Sequence, residues 1–191
     1  MSEKLKAGFA MCASCCTYQK ALETAERLAE EYELYPLMSE QALRIDSRFG
    51  KAEEIRERLE AISGKKIRWT VEEAEPIGPK KLLDVLIVCP CTGGTLGKLA
   101  RGITDNGVTM AVKAQLRNER PVVLAIATND GLSGSAEGIG QLLNRRDVYF
   151  VPYGQDDPHG KPRSLIADFS QTEETVRLAL LGRQIQPLLL R

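Results

Sequence analysis

The sequence lacks the features that mark several large classes of protein. Its 26 basic residues balance its 26 acidic ones, so no global field favours nucleic acid or a membrane surface as a partner. No apolar run approaches the ~20 residues that a membrane-spanning helix needs. The charged start at 1–6 resembles neither a signal peptide nor a transit peptide. We therefore expect a cytoplasmic protein that binds neither nucleic acid nor membranes.

Motifs for the commonest nucleotide cofactors are also missing. No G-x-G-x-x-G follows the first predicted strand and no Walker lysine loop is present, which argues against a dinucleotide or ATP site in this chain. The single histidine, His159, lies in a stretch rich in proline, glycine and aspartate. No motif in the sequence identifies the nucleophile and the acid that a catalytic triad would need beside His159. We therefore interpret His159 as a solvated loop residue.

Cysteine is too scarce for a disulfide scaffold, since the chain has five and an odd number leaves at least one thiol free. Cys12-x-x-Cys15 and Cys89-x-Cys91 end two strands that are neighbours in the predicted fold, so four thiols could ligate zinc or an iron–sulfur centre. Cysteine is also a routine small buried residue. We favour packing and keep a thiol-ligated metal protein as an alternative.

What the sequence does have is an alternation of strand and helix patterns. Apolar runs predict strands at Lys6–Met11, Leu34–Met38, Lys66–Val71, Val85–Cys89, Pro121–Ala127 and Val148–Val151. Helical spacing of apolar residues predicts helices at Thr17–Glu31, Ala52–Ile62, Leu96–Ile103, Ser135–Arg145 and Thr172–Leu181. The alternation predicts an α/β fold, a doubly wound, mostly parallel sheet in a single domain over 1–191.

The stretch Leu82–Thr109 is the strongest candidate for a binding site. A buried strand ends at Pro90, the small polar residues Cys91–Thr95 follow, and a helical pattern begins behind them. In an open α/β sheet, free backbone N–H groups and the positive end of a helix point to one spot beyond the strand's carboxyl end. This arrangement favours an anionic cofactor.

Polar residues follow the other predicted strands in the same way. Ser14, Ser39 and Thr128–Asn129 each stand just after a strand, as Thr92–Thr95 do. Because the carboxyl ends of parallel strands lie at one edge of a sheet, we expect these residues to converge. Each alone is as well explained as a helix cap or turn former. Their conjunction favours a phosphate-bearing cofactor.

The same residues resemble a family signature. Pro90-Cys91-Thr92-Gly93-Gly94-Thr95, continued by Lys98–Asn106, is similar to the P-A-S-A-N-T…K-x-A-x-G-x-A-D-N pattern of flavoproteins related to phosphopantothenoylcysteine decarboxylase. Pro121–Asn129 stands where that family has its P-A-M-N motif. The resemblance implies a Rossmann-like flavoprotein fold and an FMN-type site. In that site Ser14 and Ser39 would hold the phosphate, Thr92, Gly93 and Thr95 would line the flavin, and Asn129 would lie near the ribityl chain or ring.

Departures from the family pattern narrow the chemistry. Gly94 stands where the decarboxylases place the asparagine that meets the substrate carboxylate, and Glu75–Gly78 where they use a histidine. We therefore do not expect cysteine decarboxylation. Cys12-Ala13 also replaces the Thr-Gly expected before Ser14.

Further stretches, among them Asp46–Gly50 and Gln155–Pro158, resemble one branch of the family whose members are one half of a two-component oxidoreductase, dipicolinate synthase. The resemblance implies oxidation of a dihydrodipicolinate-type precursor to the spore dicarboxylate dipicolinate, with NAD(P) on the other component. It also implies a homo-oligomer, and the apolar tail Pro187–Leu190 is the contact that we expect from the sequence. Arg101 and Arg117 are the residues that we expect to meet the dicarboxylate, because a guanidinium pairs bidentately with carboxylates. The alternative is a flavin-free structural or channelling partner.

Overall fold

A seven-stranded sheet organises the structure, a computed structural model that describes residues 4–190. Five strands are parallel, in the spatial order β2, β1, β3, β4, β5. Their bounds are β1 Lys6–Met11, β2 Glu33–Met38, β3 Val85–Cys91, β4 Val122–Thr128 and β5 Val148–Phe150. Residues 1–3 of the charged start, and residue 191, lie outside the described part.

Helices cover both faces of this sheet. Their bounds are α1 Tyr18–Glu31, α2 Glu40–Arg44, α3 Ala52–Ser63, α4 Val71–Ala74, α5 Gly93–Ala100, α6 Gly107–Leu116, α7 Ala136–Leu143 and α8 Thr172–Leu180. Helix α1 contacts α3 and α8, whereas α6 contacts α4 and α5, and α5 contacts α7. The two sets form the layers of a doubly wound, mostly parallel α/β fold, which confirms the predicted fold class. No helix within residues 4–190 combines the length and apolarity needed to cross a bilayer.

Burial explains why the apolar patterns of the sequence predict most of the strands and helices. Strand β3 is buried along its whole length, as a central parallel strand with helices on both faces must be. Helix α1 buries Ala21, Leu22, Ala25 and Leu28, the spacing of one helical face. Gly64 ends α3 with φ +66, a left-handed conformation that glycine adopts without strain.

Three of the strand predictions were wrong. The range 66–71 is not a strand: Arg68 forms only an isolated bridge with Leu37, because Thr70 instead caps α4 by accepting a hydrogen bond from the Glu73 amide. Pro90 does not end β3, which continues to Cys91 with a shift of register against β4. The Pro90 carbonyl still accepts a hydrogen bond from the Cys12 amide at 3.1 Å, so the strand keeps its neighbour.

The third error concerns the end of the sheet: Val148–Val151 was predicted as the last strand, but β5 is followed by two more. Tyr153–Gly154 (β6) and Leu165–Ala167 (β7) follow it, and β7 pairs antiparallel with the end of β4. The C-terminal segment then adds to the same edge, because the Leu190 amide donates to the Tyr153 carbonyl at 2.9 Å. Strands β6 and β7 are antiparallel, whereas Leu189 bridges Tyr153 in parallel, and these short pieces lie beside the carboxyl end of β4.

Candidate functional site

A cleft of about 500 Å³ lies where the loops after β1, β3 and β4 meet at the carboxyl edge of the sheet. Four residues of the predicted flavin site line it together: Ser14, Thr92, Gly93 and Asn129. Its other walls come from Arg48 and Phe49 and from the segment between β6 and β7. The volume falls in the range of ~300–1,000 Å³ that is usual for small-molecule sites.

Two other predicted residues, Ser39 and Thr95, are not among those that line the cleft. Ser39 is buried after β2, where its hydroxyl accepts a hydrogen bond from the Ala42 amide and caps α2. The Thr95 hydroxyl lies 3.1 Å from that of Thr92 and donates to Cys12 Sγ at 3.3 Å. Ser39 and Thr95 thus hold the loops after β1, β2 and β3 in place without facing the cleft themselves.

The first turn of α5 gives the cleft its small, polar floor. Thr92 caps the helix, since its hydroxyl accepts a hydrogen bond from the Thr95 amide at 3.4 Å. The first amides of a helix have no partner within the helix, so this end can bind an anion. A Cβ added at Gly94 would meet no heavy atom within 4 Å, so the position of the family's asparagine is open here.

A polar cluster of Thr128, Asp130 and Ser135 fixes the loop that carries Asn129. The Thr128 hydroxyl donates to Asp130 Oδ1, and the Ser135 hydroxyl donates to the same oxygen at 2.7 Å. The hydrogen bonds from Thr128 and then Ser135 hold the pKa of the Asp130 carboxyl below its usual value. Sequence reasoning missed Asp130 and Ser135, although the Thr-Asn-Asp-Gly run after a strand was the available signal.

The cysteines divide into buried and cleft-facing groups. Cys12, Cys89 and Cys91 are buried, and burial raises the pKa of the Cys12 thiol to about 11, so this thiol stays protonated at neutral pH. Cys15 and Cys16 line the cleft. Within residues 4–190, no three histidine, cysteine or acidic side chains are grouped so that they could hold a metal ion. The structure thus gives no support to the thiol-ligated metal alternative.

The two arginines predicted to meet a dicarboxylate lie away from the cleft. Arg101 lies just past the end of α5, and its Nη2 is 3.5 Å from Oε2 of Glu137 in α7. The Arg117 guanidinium packs against Gly78, where an added Cβ would come within 2.5 Å of it. Both helices lead away from the carboxyl edge of the sheet, so residues at their C-terminal ends are carried away from it. Arg48 and Lys161 are the cations that line the cleft, and sequence reasoning did not select them.

Comparison with known proteins shows what the chain is similar to. The B-type subunit of dipicolinate synthase from Bacillus subtilis (strain 168) is 38% identical over 183 residues, which cover 95% of this chain and 92% of that protein. The crystal structure of the corresponding B-type subunit from Bacillus halodurans C matches with a TM-score of 0.90 at 37% identity, covering 99% of this chain and 97% of the other.

More distant likenesses show the fold alone. A PPC decarboxylase complexed with pantothenoylaminoethenethiol matches with a TM-score of 0.69 at 19% identity, covering 92% of this chain and 98% of the other.

The model of the family named Flavoprotein matches residues 1–135. The chain therefore belongs to the flavoprotein family and is a homologue of the B-type subunit of dipicolinate synthase.

Proposed function

We propose that this chain is a dipicolinate synthase B-type subunit that binds FMN in the cleft at the carboxyl edge of its sheet. With an A-type subunit that carries NAD(P), it takes part in oxidising a dihydrodipicolinate-type precursor to dipicolinate during sporulation. The observation that carries the proposal is the convergence of Ser14, Thr92, Gly93 and Asn129 on one cleft of about 500 Å³. The homology to dipicolinate synthase supports the substrate class.

The residues present fit a flavin mononucleotide. The Ser14 hydroxyl and the free amides at the start of α5 suit a phosphate or a polar ring edge, because both present hydrogen-bond donors. Gly93 and Ala13 expose backbone at the cleft surface, which lets a flat ring approach closely. FMN, when bound, supplies a two-electron acceptor suited to aromatising a dihydropyridine.

The chain's own residues would position the reactants. Thr92 is held by its contact with Thr95, and Thr128 by its hydrogen bond to Asp130, so both hydroxyls are fixed before any ligand arrives. Asn129 is exposed between these anchors and offers an amide donor and acceptor to the cleft. Preorganised polar groups of this kind orient a ligand at little entropic cost.

Flavin uptake tests the proposal directly. FMN is titrated into the purified chain and followed by quenching of flavin fluorescence, for the wild type, Thr92→Val and Asn129→Ala. We expect saturable binding by the wild type and at least about tenfold weaker binding by each variant, because each loses a polar contact at the ligand. Asn144→Ala is the matched control, since Asn144 is exposed at the end of α7 and does not line the cleft.

The activity of the mixture separates this proposal from the flavin-free alternative. We expect dipicolinate formation to require both types of subunit and to fall in Thr92→Val and Asn129→Ala chains that still co-purify with the A-type subunit. A chain that takes up no FMN, together with full activity of the A-type subunit alone, would contradict the redox role and support a structural or channelling partner.

We also propose that the chain forms a homo-oligomer through its C-terminal segment. Leu181 and Leu189 are the most exposed large apolar side chains of the described residues, at 70% and 65%. Leu189 lies on the segment whose Leu190 amide bonds to the Tyr153 carbonyl, so it offers an apolar contact to a second copy at this edge of the sheet. Size-exclusion chromatography with light scattering should give a mass above the 21.1 kDa of one chain, reduced in Leu189→Glu.

A further inference from the structure

The charge of the cleft is concentrated in two loops. Of the described residues that line it, Arg48 and Lys161 are the cations and Asp156 is the one acid. The lining therefore carries a net charge of about +1 before any ligand binds. An anionic ligand is favoured, and because the two cations come from separate loops they offer two separate contacts to a ligand with two anionic groups.

A closed turn presents Arg48 to the cleft. The Ser47 amide donates to the Gly50 carbonyl and the Gly50 amide to the Ser47 carbonyl, each at 3.1 Å, and Gly50 has φ +138, a conformation that favours glycine. At the tip, the Arg48 guanidinium carbon lies 4.8 Å from the centroid of the Phe49 ring. Within residues 4–190 Arg48 has no ion-pair or hydrogen-bond partner, so its donors are available to a ligand.

The second cation is held by an ordered loop. Lys161 Nζ lies 3.1 Å from Asp156 Oδ2, and the Gly160 amide donates to Asp157 Oδ1 at 2.8 Å, which fixes the turn before Lys161. Hydrogen bonding to Asp156 raises the pKa of Lys161. The ammonium is therefore charged at neutral pH, and Asp156 occupies only one of its three donors.

An aromatic ring that bears a carboxylate fits the Arg48–Phe49 tip. The Arg48 guanidinium covers one face of the Phe49 ring, and Phe49 is 50% exposed, so the other face and the ring edge remain for a ligand's ring while the guanidinium pairs bidentately with a carboxylate. A second carboxylate on the same ring would pair with the compact ammonium charge of Lys161. A flavin phosphate shares the anionic chemistry but brings no ring to the Phe49 face at the same point.

We propose that Arg48 and Lys161 bind the two carboxylates of the dicarboxylate substrate and product, with Phe49 against the ring. The inference rests on the proposed function and deepens it, since it assigns substrate recognition to a turn and a loop outside the flavin-lining motif. It also replaces Arg101 and Arg117 in that role.

The test is a calorimetric titration of the full chain, saturated with FMN, with isophthalate and dipicolinate in metal-free buffer. Isophthalate carries the same pair of carboxylates but lacks the ring nitrogen with which dipicolinate chelates metals. We expect Arg48→Ala and Lys161→Ala each to weaken dicarboxylate binding at least about tenfold, because each removes a charge-assisted contact. Arg48→Lys should lose less, and benzoate should bind more weakly than isophthalate.

Arg146→Ala is the matched control, because Arg146 is a surface arginine with a side chain 79% exposed and does not line the cleft. It should bind isophthalate like the wild type. FMN affinity, measured separately, should stay within about threefold in Arg48→Ala and Lys161→Ala, since the phosphate is assigned to other groups.

The outcomes separate this inference from the proposed function. Unchanged isophthalate and dipicolinate binding in both variants would overturn the inference, while FMN uptake and activity with the A-type subunit would leave the proposed function standing. Loss of FMN instead of the dicarboxylate would also overturn it and assign the cations to the flavin phosphate. If the wild type takes up no FMN, the proposed function fails, and the same titration without FMN still decides the inference.

Discussion

Replacing Gly93 with alanine tests how tightly the floor of the cleft is built. A Cβ at this position would lie 2.4 Å from Ser135 Oγ, 2.6 Å from Thr128 Oγ1 and 2.8 Å from Asp130 Oδ1. All three distances are below normal van der Waals contact, and the three atoms belong to one hydrogen-bonded cluster. The methyl group therefore cannot be accommodated by moving a single flexible side chain.

The expected cost follows from two physical effects. Overpacking by one methyl group costs about 1–3 kcal/mol. Displacing Ser135 from Asp130, where the hydroxyl now donates at 2.7 Å, gives up a hydrogen bond to a charged group worth about 1.5–3 kcal/mol. Because the two effects overlap, we expect a loss of about 2–4 kcal/mol in the free energy of unfolding. For a chain of this size that corresponds to a fall in Tm of roughly 4–16 °C.

Gly94→Ala is the matched control, one residue along the same helical turn. A Cβ there meets nothing within 4 Å, and alanine favours helix over glycine by up to about 1 kcal/mol, so this variant should be neutral or more stable. Both variants are unfolded in urea and by heat, and ΔG is extrapolated to water. Equal stabilities for Gly93→Ala and Gly94→Ala would refute the reasoning.

Three further predictions concern a carboxyl, an ion pair and the thiols. Asp130→Asn should lower Tm at pH 7, and the Tm values of the variant and the wild type should converge at acidic pH. The pKa of Asp130 is depressed in the folded state, so the stabilisation by this carboxylate is present above the unfolded pKa of about 3.9. It is lost as the pH falls through the folded pKa. Asp84→Ala should cost about 1–3 kcal/mol in urea unfolding, because Arg120 Nη1, at 3.1 Å, loses its carboxylate. A thiol reagent should modify at most two cysteines of the native chain, Cys15 and Cys16, and all five after unfolding.

Each of these predictions has a contrary result. A Tm difference for Asp130→Asn that is the same at every pH would show that its hydrogen bonds do not depend on ionisation. Glu119→Ala, which breaks only an exposed contact with Arg146 at 3.8 Å, is the control for Asp84→Ala, and equal effects of the two would contradict a stabilising role for the half-buried Asp84. Rapid modification of more than two native thiols would contradict the burial of Cys12, Cys89 and Cys91.

The fold could be predicted wherever burial decides the pattern. Strand β3 and helix α1 show their environments in sequence, because a strand covered on both faces is continuously apolar and a half-buried helix is periodic. Helix α6 was missed, because seven of its ten residues are buried and no polar face breaks the pattern. The antiparallel strand β7 was also missed, since three residues beside a polar loop carry too little periodicity.

The candidate site was predictable in position but not in its lining. Parallel topology brings Ser14, Thr92 and Asn129 to one edge whatever their side chains do, so this part followed from strand order. Whether a hydroxyl faces the cleft or caps a helix depends on local geometry, and Ser39 took the second role. The cations of the cleft come from loops with no periodic signal, so Arg48 could not be selected by pattern.

The most direct test of the account is a crystal structure of the chain grown with FMN. We predict electron density for the flavin in the cleft, with the ring or phosphate in contact with Ser14, Thr92 and Asn129. FMN bound at a different surface, or a cleft filled by side chains while the flavin remains in solution, would contradict it.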